Sequence, residues 1–177
     1  MIGTQCWFKE NLNVGTLIPG ITNQSDNGTV EKYCYNDDNL KCSIYGGLYQ
    51  WDEIMLYSEI PNVRGICPIG WHLPSDSEWE TLINFLGGRY EAGWKMKTEN
   101  FWAPGPGNNS SGFTALPAGR RQSDGTFDEL GYDCHFWSSN QYDLSNAWIR
   151  SLNYSDQGVS RHYLDKTRGF SVRCIKD

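Results

Sequence analysis

The chain contains no apolar stretch near the ~18–20 residues that a membrane-spanning helix requires, and no signal-peptide pattern opens it. Met1-Ile-Gly3 reads as mid-chain sequence, so an export segment is expected to have been removed ahead of it. There is no basic stripe. The formal net charge is -6 with acids and bases intermixed, which argues against a nucleic-acid partner. No low-complexity linker and no internal repeat divides residues 1–177, which fit a single domain. No Cys-x-x-Cys and no Cys/His grouping at zinc spacing is present, which removes the redox-motif and zinc-finger readings. Gly-x-Ser-x-Gly, His-Glu-x-x-His and phosphate-loop patterns are missing too, and enzyme function is disfavoured.

Hydrophobic residues make up only 38% of the chain, but 14% are aromatic, with eight Trp and ten Tyr. Such side chains bury large areas while keeping a polar handle, so a core can still close. Trp7, Trp51, Trp71, Trp79 and Trp137 are assigned to it. Six cysteines are scattered at Cys6, Cys34, Cys42, Cys67, Cys134 and Cys174. Cystines of an exported protein are the preferred reading, with buried free thiols as the alternative. The clearest helix runs from Ser75 to Leu86. Ser75 and Glu78 form a capping box, Trp79, Leu82, Ile83 and Leu86 share a face, and Gly87-Gly88 ends it. A weaker helix is expected over Leu48 to Tyr57, burying Trp51, Ile54 and Met55. Strands are expected at Phe113–Pro117, Gly125–Phe127, His135–Trp137, Ala147–Leu152, Val159–Leu164 and Phe170–Ile175, with turn formers between them. Helices first and antiparallel strands later make an α+β fold.

The segment Cys67-Pro-Ile-Gly-Trp-His-Leu-Pro-Ser-Asp-Ser-Glu-Trp-Glu80 resembles the start of the second helix of C-type lectin domains. Closer still is the resemblance to the Fibrobacter succinogenes major paralogous domain. It rests on Trp7–Asn13, Tyr33–Asp37, Tyr45–Trp51, Gly70–Ser75, Ala115–Gly119, Phe136–Ser139 and Gly169–Cys174, in order along nearly the whole chain. The Leu-Pro-x-x-x-Glu-Trp helix start and the Gly-Phe-x-x-Arg strand are similar, more distantly, to the formylglycine-generating sulfatase-modifying fold. The resemblance implies a C-type-lectin-like fold, two helices packed on short antiparallel strands, in an extracellular, cell-surface or virion-surface protein. It implies a bond between Cys67 and Cys174. Cys34 and Cys42 flank Asn36-Asp-Asp-Asn39 and are expected to close a small loop, which leaves Cys6 and Cys134 as a third pair.

For His72 we expect packing or a backbone hydrogen bond, for His135 a half-buried place in a strand, and for His162 exposure. Asp52-Glu53, Glu78/Glu80 and Asp128-Glu129 have helix-surface or turn explanations. Calcium-dependent lectins hold metal and sugar through Glu-Pro-Asn or Gln-Pro-Asp and Trp-Asn-Asp, which this chain lacks. Asn36-Asp-Asp-Asn39 offers hard oxygen ligands, yet a solvated turn explains it as well, so no cofactor is expected.

The stretch from residue 140 to 165 is the candidate ligand-binding face. It carries Asn140, Tyr142, Asp143, Asn146, Asn153, Tyr154, Asp156, Arg161, His162, Tyr163 and Asp165 around framework-like Trp148, Leu152 and Val159. This is the composition of an adaptable binding surface, although inert sheet edges are decorated in the same way. Lectin-fold relatives serve as variable proteins of diversity-generating retroelements, and the resemblance extends to this composition. Trp94, Phe101 and Trp102 beside Pro104-Gly-Pro-Gly107 allow either a sugar-stacking platform or burial, and Asn23, Asn27, Asn109 and Asn153 start glycosylation sequons. The expectation is a surface-displayed module that recognises a protein or a glycan. The alternatives are a structural domain of a larger envelope protein and an enzyme of the sulfatase-modifying kind, which needs a reactive thiol.

Overall fold

The computed structural model describes residues 1–105 and 107–177, so Pro106 of the Pro-Gly-Pro-Gly stretch lies outside the described residues. The fold is α+β. In chain order the elements are β1 (Thr16–Leu17), β2 (Glu31–Lys32), a 3-10 turn (Tyr35–Asp37), α1 (Asn39–Tyr45), α2 (Trp51–Ile54), β3 (Trp71–His72), α3 (Asp76–Phe85), α4 (Ala92–Met96), β4 (Ala118–Arg121), β5 (Phe127–Leu130), β6 (Asp133–Gln141), β7 (Asn146–Asn153), β8 (Ser160–Asp165) and β9 (Ile175–Lys176). The main sheet has the order β5-β4-β6-β7-β8. Its neighbours are antiparallel except β4 and β6, which meet in parallel at Gly119 and Cys134.

Alternation along β6 and β7 puts apolar residues on both faces of this sheet, which is why it is covered twice. Cys134, Phe136 and Leu152 join Trp79, Leu82 and Ile83 of α3 in one aromatic-rich cluster with Trp7, Trp102 and Phe113. Trp137, Ala147 and Ile149, from the opposite face, meet Trp51 and Ile54 of α2 together with Phe170 and Val172. Helix α3 follows the expected boundaries. Ser75 accepts from the Glu78 N–H, and Glu78 reaches back to the Ser75 N–H at 2.8 Å. Among the described residues no helix is long and apolar enough to cross a membrane.

Several expected elements take another form. The helix expected over Leu48–Tyr57 shrinks to Trp51–Ile54. Leu48 and Tyr49 are drawn into bridges with Tyr33 and Phe170, and Leu56 and Tyr57 turn to positive φ (50° and 59°). Phe113–Pro117 is no strand: Thr114 has φ 60°, and the carbonyls of Phe113 and Thr114 accept from the Arg173 guanidinium instead of a neighbouring strand. Phe170–Ile175 is buried and extended, but its backbone partners change along its length. Phe170 bonds to Tyr49 and Ser171 to His135, while the Val172 and Cys174 carbonyls accept from Leu12 and Phe8. Only Ile175–Lys176 pairs as a strand, with β3. Helices α1 and α4 were not anticipated. Asp38 caps α1, its side chain accepting from the Leu40 N–H, so the acidic run after Cys34 is used in starting a helix.

Two cystines are formed, Cys34–Cys42 and Cys67–Cys174. The expected third pair is not: Cys6 and Cys134 are free. Cys134 points into the aromatic cluster and is fully enclosed there. Cys6 is half-buried elsewhere, its carbonyl accepting from the Lys176 N–H of β9 at 2.9 Å.

Candidate functional site

The hairpin β7–β8 closes one side of the sheet, and among the described residues β8 has no strand beyond it. Ala147 and Ile149 point inward, so Trp148 between them points to the opposite face. Tyr163 lies directly across from Trp148, and Arg161 sits two residues before it on the same face. Tyr142, just past β6, closes the group. Tyr142 and Tyr163 stack with ring centroids 3.8 Å apart and planes 9° from parallel. Trp148 stands edge-on to both, at 5.0 and 5.7 Å. The Arg161 guanidinium lies 3.3 Å from the Trp148 ring centre, a close cation–π contact. Both tyrosines stay 47% exposed and Leu144, in the adjoining turn, 88%, so the platform projects into solvent.

A charged clamp fixes Arg161. Its Nη2 lies 3.0 Å from Asp76, at the start of α3, and the same carboxylate takes Arg150 Nη1 at 2.7 Å. Burial alone would raise the Asp76 carboxyl, but hydrogen bonds from Arg161 and Arg150 hold it below the usual carboxylate range. Arg150 is wholly buried and its Nε has no partner, so Asp76 is what makes its charge tolerable there. The platform is therefore tied through α3 to the domain core.

The sequence-nominated residues divide among distinct places. Tyr142, Arg161 and Tyr163 form the platform. Asp143 and Asn146 bind each other in the β6–β7 turn, Asn146 Nδ2 donating to Asp143 Oδ1 at 2.9 Å. Asn140 Oδ1 accepts from the Asp76 N–H at 2.8 Å, and Asp165 Oδ1 accepts from Thr167 in the turn after β8. Tyr154 packs on Tyr132 and against the core, with ring centroids 5.4 Å apart. Asn153, Asp156 and His162 line a cleft on the other face of the sheet, together with Arg120, Glu129 and His135. Trp148 was read as framework and is instead half-exposed at the centre of the platform. Its place between buried Ala147 and Ile149 was the available signal.

Two of the three histidines differ from expectation. His135 is buried (5% exposed), with Ser151 Oγ 2.7 Å from Nδ1 and Glu129 Oε2 2.8 Å from Nε2. His162 is exposed, as expected. His72 makes no backbone hydrogen bond through its ring: Glu78 Oε1 lies 2.8 Å from Nε2 and Asp177 Oδ1 2.7 Å from Nδ1. Burial pulls this imidazole down, but the two carboxylates outweigh it and its pKa stands above the ordinary value. A raised folded pKa gives stability that is complete below the unfolded value of ~6.5 and lost as pH rises through the folded one. We expect wild type to exceed His72→Gln by ~1 kcal/mol or less below pH ~6.5, with the gap closing as pH rises through the raised folded-state value. Urea unfolding at several pH values measures it, and a gap that widened with pH would contradict the assignment.

The other nominated features resolve simply. Trp102 is buried, its indole N–H donating to the Ala115 carbonyl at 3.0 Å, whereas Phe101 is exposed beside it. Cys134, one of the two free thiols, is pushed well above the ordinary thiol range by burial, which leaves it a poor nucleophile.

Platform, clamp and cleft together define a cystine-bearing α+β domain with polar and aromatic groups on both faces of its main sheet. The chain belongs to the Fibrobacter succinogenes major domain family, whose description matches residues 1–176. Comparison with curated proteins and with solved structures finds no match to either.

Proposed function

We propose that this is an extracellular binding domain of C-type-lectin-like architecture that engages a protein surface through Tyr142, Trp148, Arg161 and Tyr163. The observation that carries the reading is the projecting stack of Tyr142 on Tyr163, with Arg161 laid over Trp148 and locked by Asp76. Tyr, Trp and Arg are the side chains that dominate binding hot spots, and holding them rigid beforehand lowers the entropic cost of association. A protein partner suits the geometry better than a glycan. The tyrosines spend one ring face each on the other, and Arg161 covers a face of Trp148. What stays exposed is their hydroxyls, ring edges and outer faces beside the projecting Leu144, a mixture of polar and apolar surface that suits a protein partner. The two cystines and the absence of an apolar spanning helix among the described residues fit an extracellular location.

Tyr142, Asp143, Arg161, His162, Tyr163 and Asp165 are all exposed, so exchanges there remove no side chain from the apolar core. This favours a surface open to diversification, as in the variable protein of a diversity-generating retroelement. A template repeat and a reverse-transcriptase gene beside this one would support that reading, and their absence would remove it. The binding claim is tested with a fluorescent tetramer of the domain, applied to intact cells, purified surface proteins and a glycan array. Tyr142→Ala/Tyr163→Ala is expected to weaken protein binding at least tenfold, each position contributing about 1–2 kcal/mol, with near-UV circular dichroism of the core retained. Undiminished binding by the variant places the interface elsewhere. Binding confined to the glycan array refutes the choice of a protein partner.

A further inference from the structure

The cleft behind the platform holds a second set of groups with a different chemistry. Glu129, Asp133 and His135 bring one imidazole nitrogen and two carboxylate oxygens within 4.8 Å of one another. Asp133 and His135 lie two apart on β6 and so share a face. Glu129 arrives from β5 with φ 66°, a left-handed kink inside a strand that turns its side chain toward His135. The three line a cleft of about 380 Å³ with Asn153, His162 and Arg120.

We propose that Glu129, Asp133 and His135 form a binding site for a divalent transition metal of the zinc class, open to the cleft. The site goes beyond the protein-binding reading and lies on the opposite face of the sheet from the platform. Each ligand is oriented through an atom other than the one facing the metal, as second-shell partners do at metal sites. Ser151 Oγ holds His135 Nδ1 at 2.7 Å and directs Nε2 to the centre. Arg120 Nη2 holds Glu129 Oε1 at 2.7 Å and leaves Oε2, which already lies 2.8 Å from His135 Nε2. Asn153 Nδ2 donates to Asp133 Oδ1 at 2.6 Å and leaves Oδ2. Arg120 is also paired with Asp128 at 2.9 Å, so the charges of Glu129 and Asp133 are not both spent on it.

The ligand types select the ion. One imidazole with two carboxylates suits zinc and its neighbours in the transition series. Calcium takes six to eight oxygens and has too few here. Three protein ligands leave at least one coordination position facing the cleft, for water or for an acidic group of a bound molecule.

The test is calorimetric titration of chelator-treated, desalted protein with zinc chloride, in a Cys6→Ser background so that the half-buried thiol adds no signal. One equivalent binding in the micromolar range is expected. Asp133→Asn and His135→Gln are each expected to weaken it at least about tenfold, whereas His72→Gln, at the other His–carboxylate group, leaves it unchanged. Glu129→Gln, which keeps the side chain's size, is the further variant should His135→Gln unfold. With cobalt the parent protein should show ligand-field bands without sulfur-to-metal charge transfer. No one-to-one binding by folded parent protein, or equal affinity in folded Asp133→Asn and Glu129→Gln, overturns the proposal.

Discussion

Replacing Cys67 and Cys174 together by alanine is expected to lower the free energy of unfolding by about 5 kcal/mol, the chain-entropy value for a loop of this length. The bond spans 107 residues, joining the stretch before β3 to the buried extended segment near the end of the chain. Cys34–Cys42 spans only 8, for which the same relation gives roughly 2.5 kcal/mol. Loss of the long bridge is therefore expected to cost about twice as much as loss of the short one. Both sulfurs of the long bridge also lie in the cluster with Trp51, Phe170 and Val172, so their removal leaves a small void as well. At ~2–4 °C per kcal/mol for a chain of this size, the midpoint of thermal unfolding should fall by ~10–20 °C. Alanine is preferred to serine, which would bury an unpartnered hydroxyl. Thiol titration of denatured, unreduced protein gives the internal control: two thiols, Cys6 and Cys134, should react in the parent and in either double variant. A loss no larger than that of the Cys34→Ala/Cys42→Ala variant would show that the long bridge closes a loop already ordered in the unfolded chain.

What could be read in advance depended on whether the signal was local. Helix α3 announces itself because its cap, its apolar face and its terminating glycines all lie within fourteen consecutive residues. Strands β7 and β8 were legible from the turn formers around them, whereas β6 runs over 9 residues where only His135–Trp137 was expected. The candidate binding stretch was located by composition, which ignores the period of two that sends neighbouring residues to opposite faces. Arg161 and Tyr163 go to the platform while His162, between them, goes to the cleft. Trp148 was missed for the same reason. The Glu129–Asp133–His135 group has no motif, since its geometry depends on a kink at Glu129 and on how the chain returns from β5 to β6 on the far side of β4. His135 looked half-buried in sequence because its closing partners, Glu129 and Phe170, come from other segments.

The long irregular stretches raise the question of what satisfies their backbone carbonyls. Buried cations do much of it. Arg121 donates to the Gly20 and Thr167 carbonyls at 2.7 and 2.8 Å while lying over Tyr33. Lys97 reaches the Asn153 and Asp156 carbonyls at 3.0 and 2.8 Å, and Lys166, over Trp51, takes the Leu144 carbonyl at 3.2 Å. None of these contacts needs a carboxylate. Each fixes segments far apart in sequence, as a strand ladder does in a more regular fold.

Arg173 is the extreme case and should be the least replaceable side chain of this set. It is fully buried, and burial brings its pKa down to about 9, so it remains charged at neutral pH. Its guanidinium donates to Asn11 Oδ1 at 2.6 Å and to the carbonyls of Phe8, Phe113 and Thr114, with the Phe113 ring 4.4 Å away. Replacing a buried ion pair by apolar residues is often neutral because both desolvated charges leave together. Here the acceptors are mostly main chain and stay behind, at about 1–3 kcal/mol for each one left buried and unpartnered. Two such orphans, at the Phe113 carbonyl and Asn11, set the expected loss for Arg173→Met at about 2–6 kcal/mol, less what removing the buried charge returns. Arg173→Lys should recover little, because a single ammonium on a flexible stem cannot address four acceptors held in a fork's geometry. Urea unfolding with an unchanged m-value measures both. A methionine variant as stable as the parent would mean that the carbonyls around Arg173 find water or new partners, and that this cation is tolerated in the core rather than needed there.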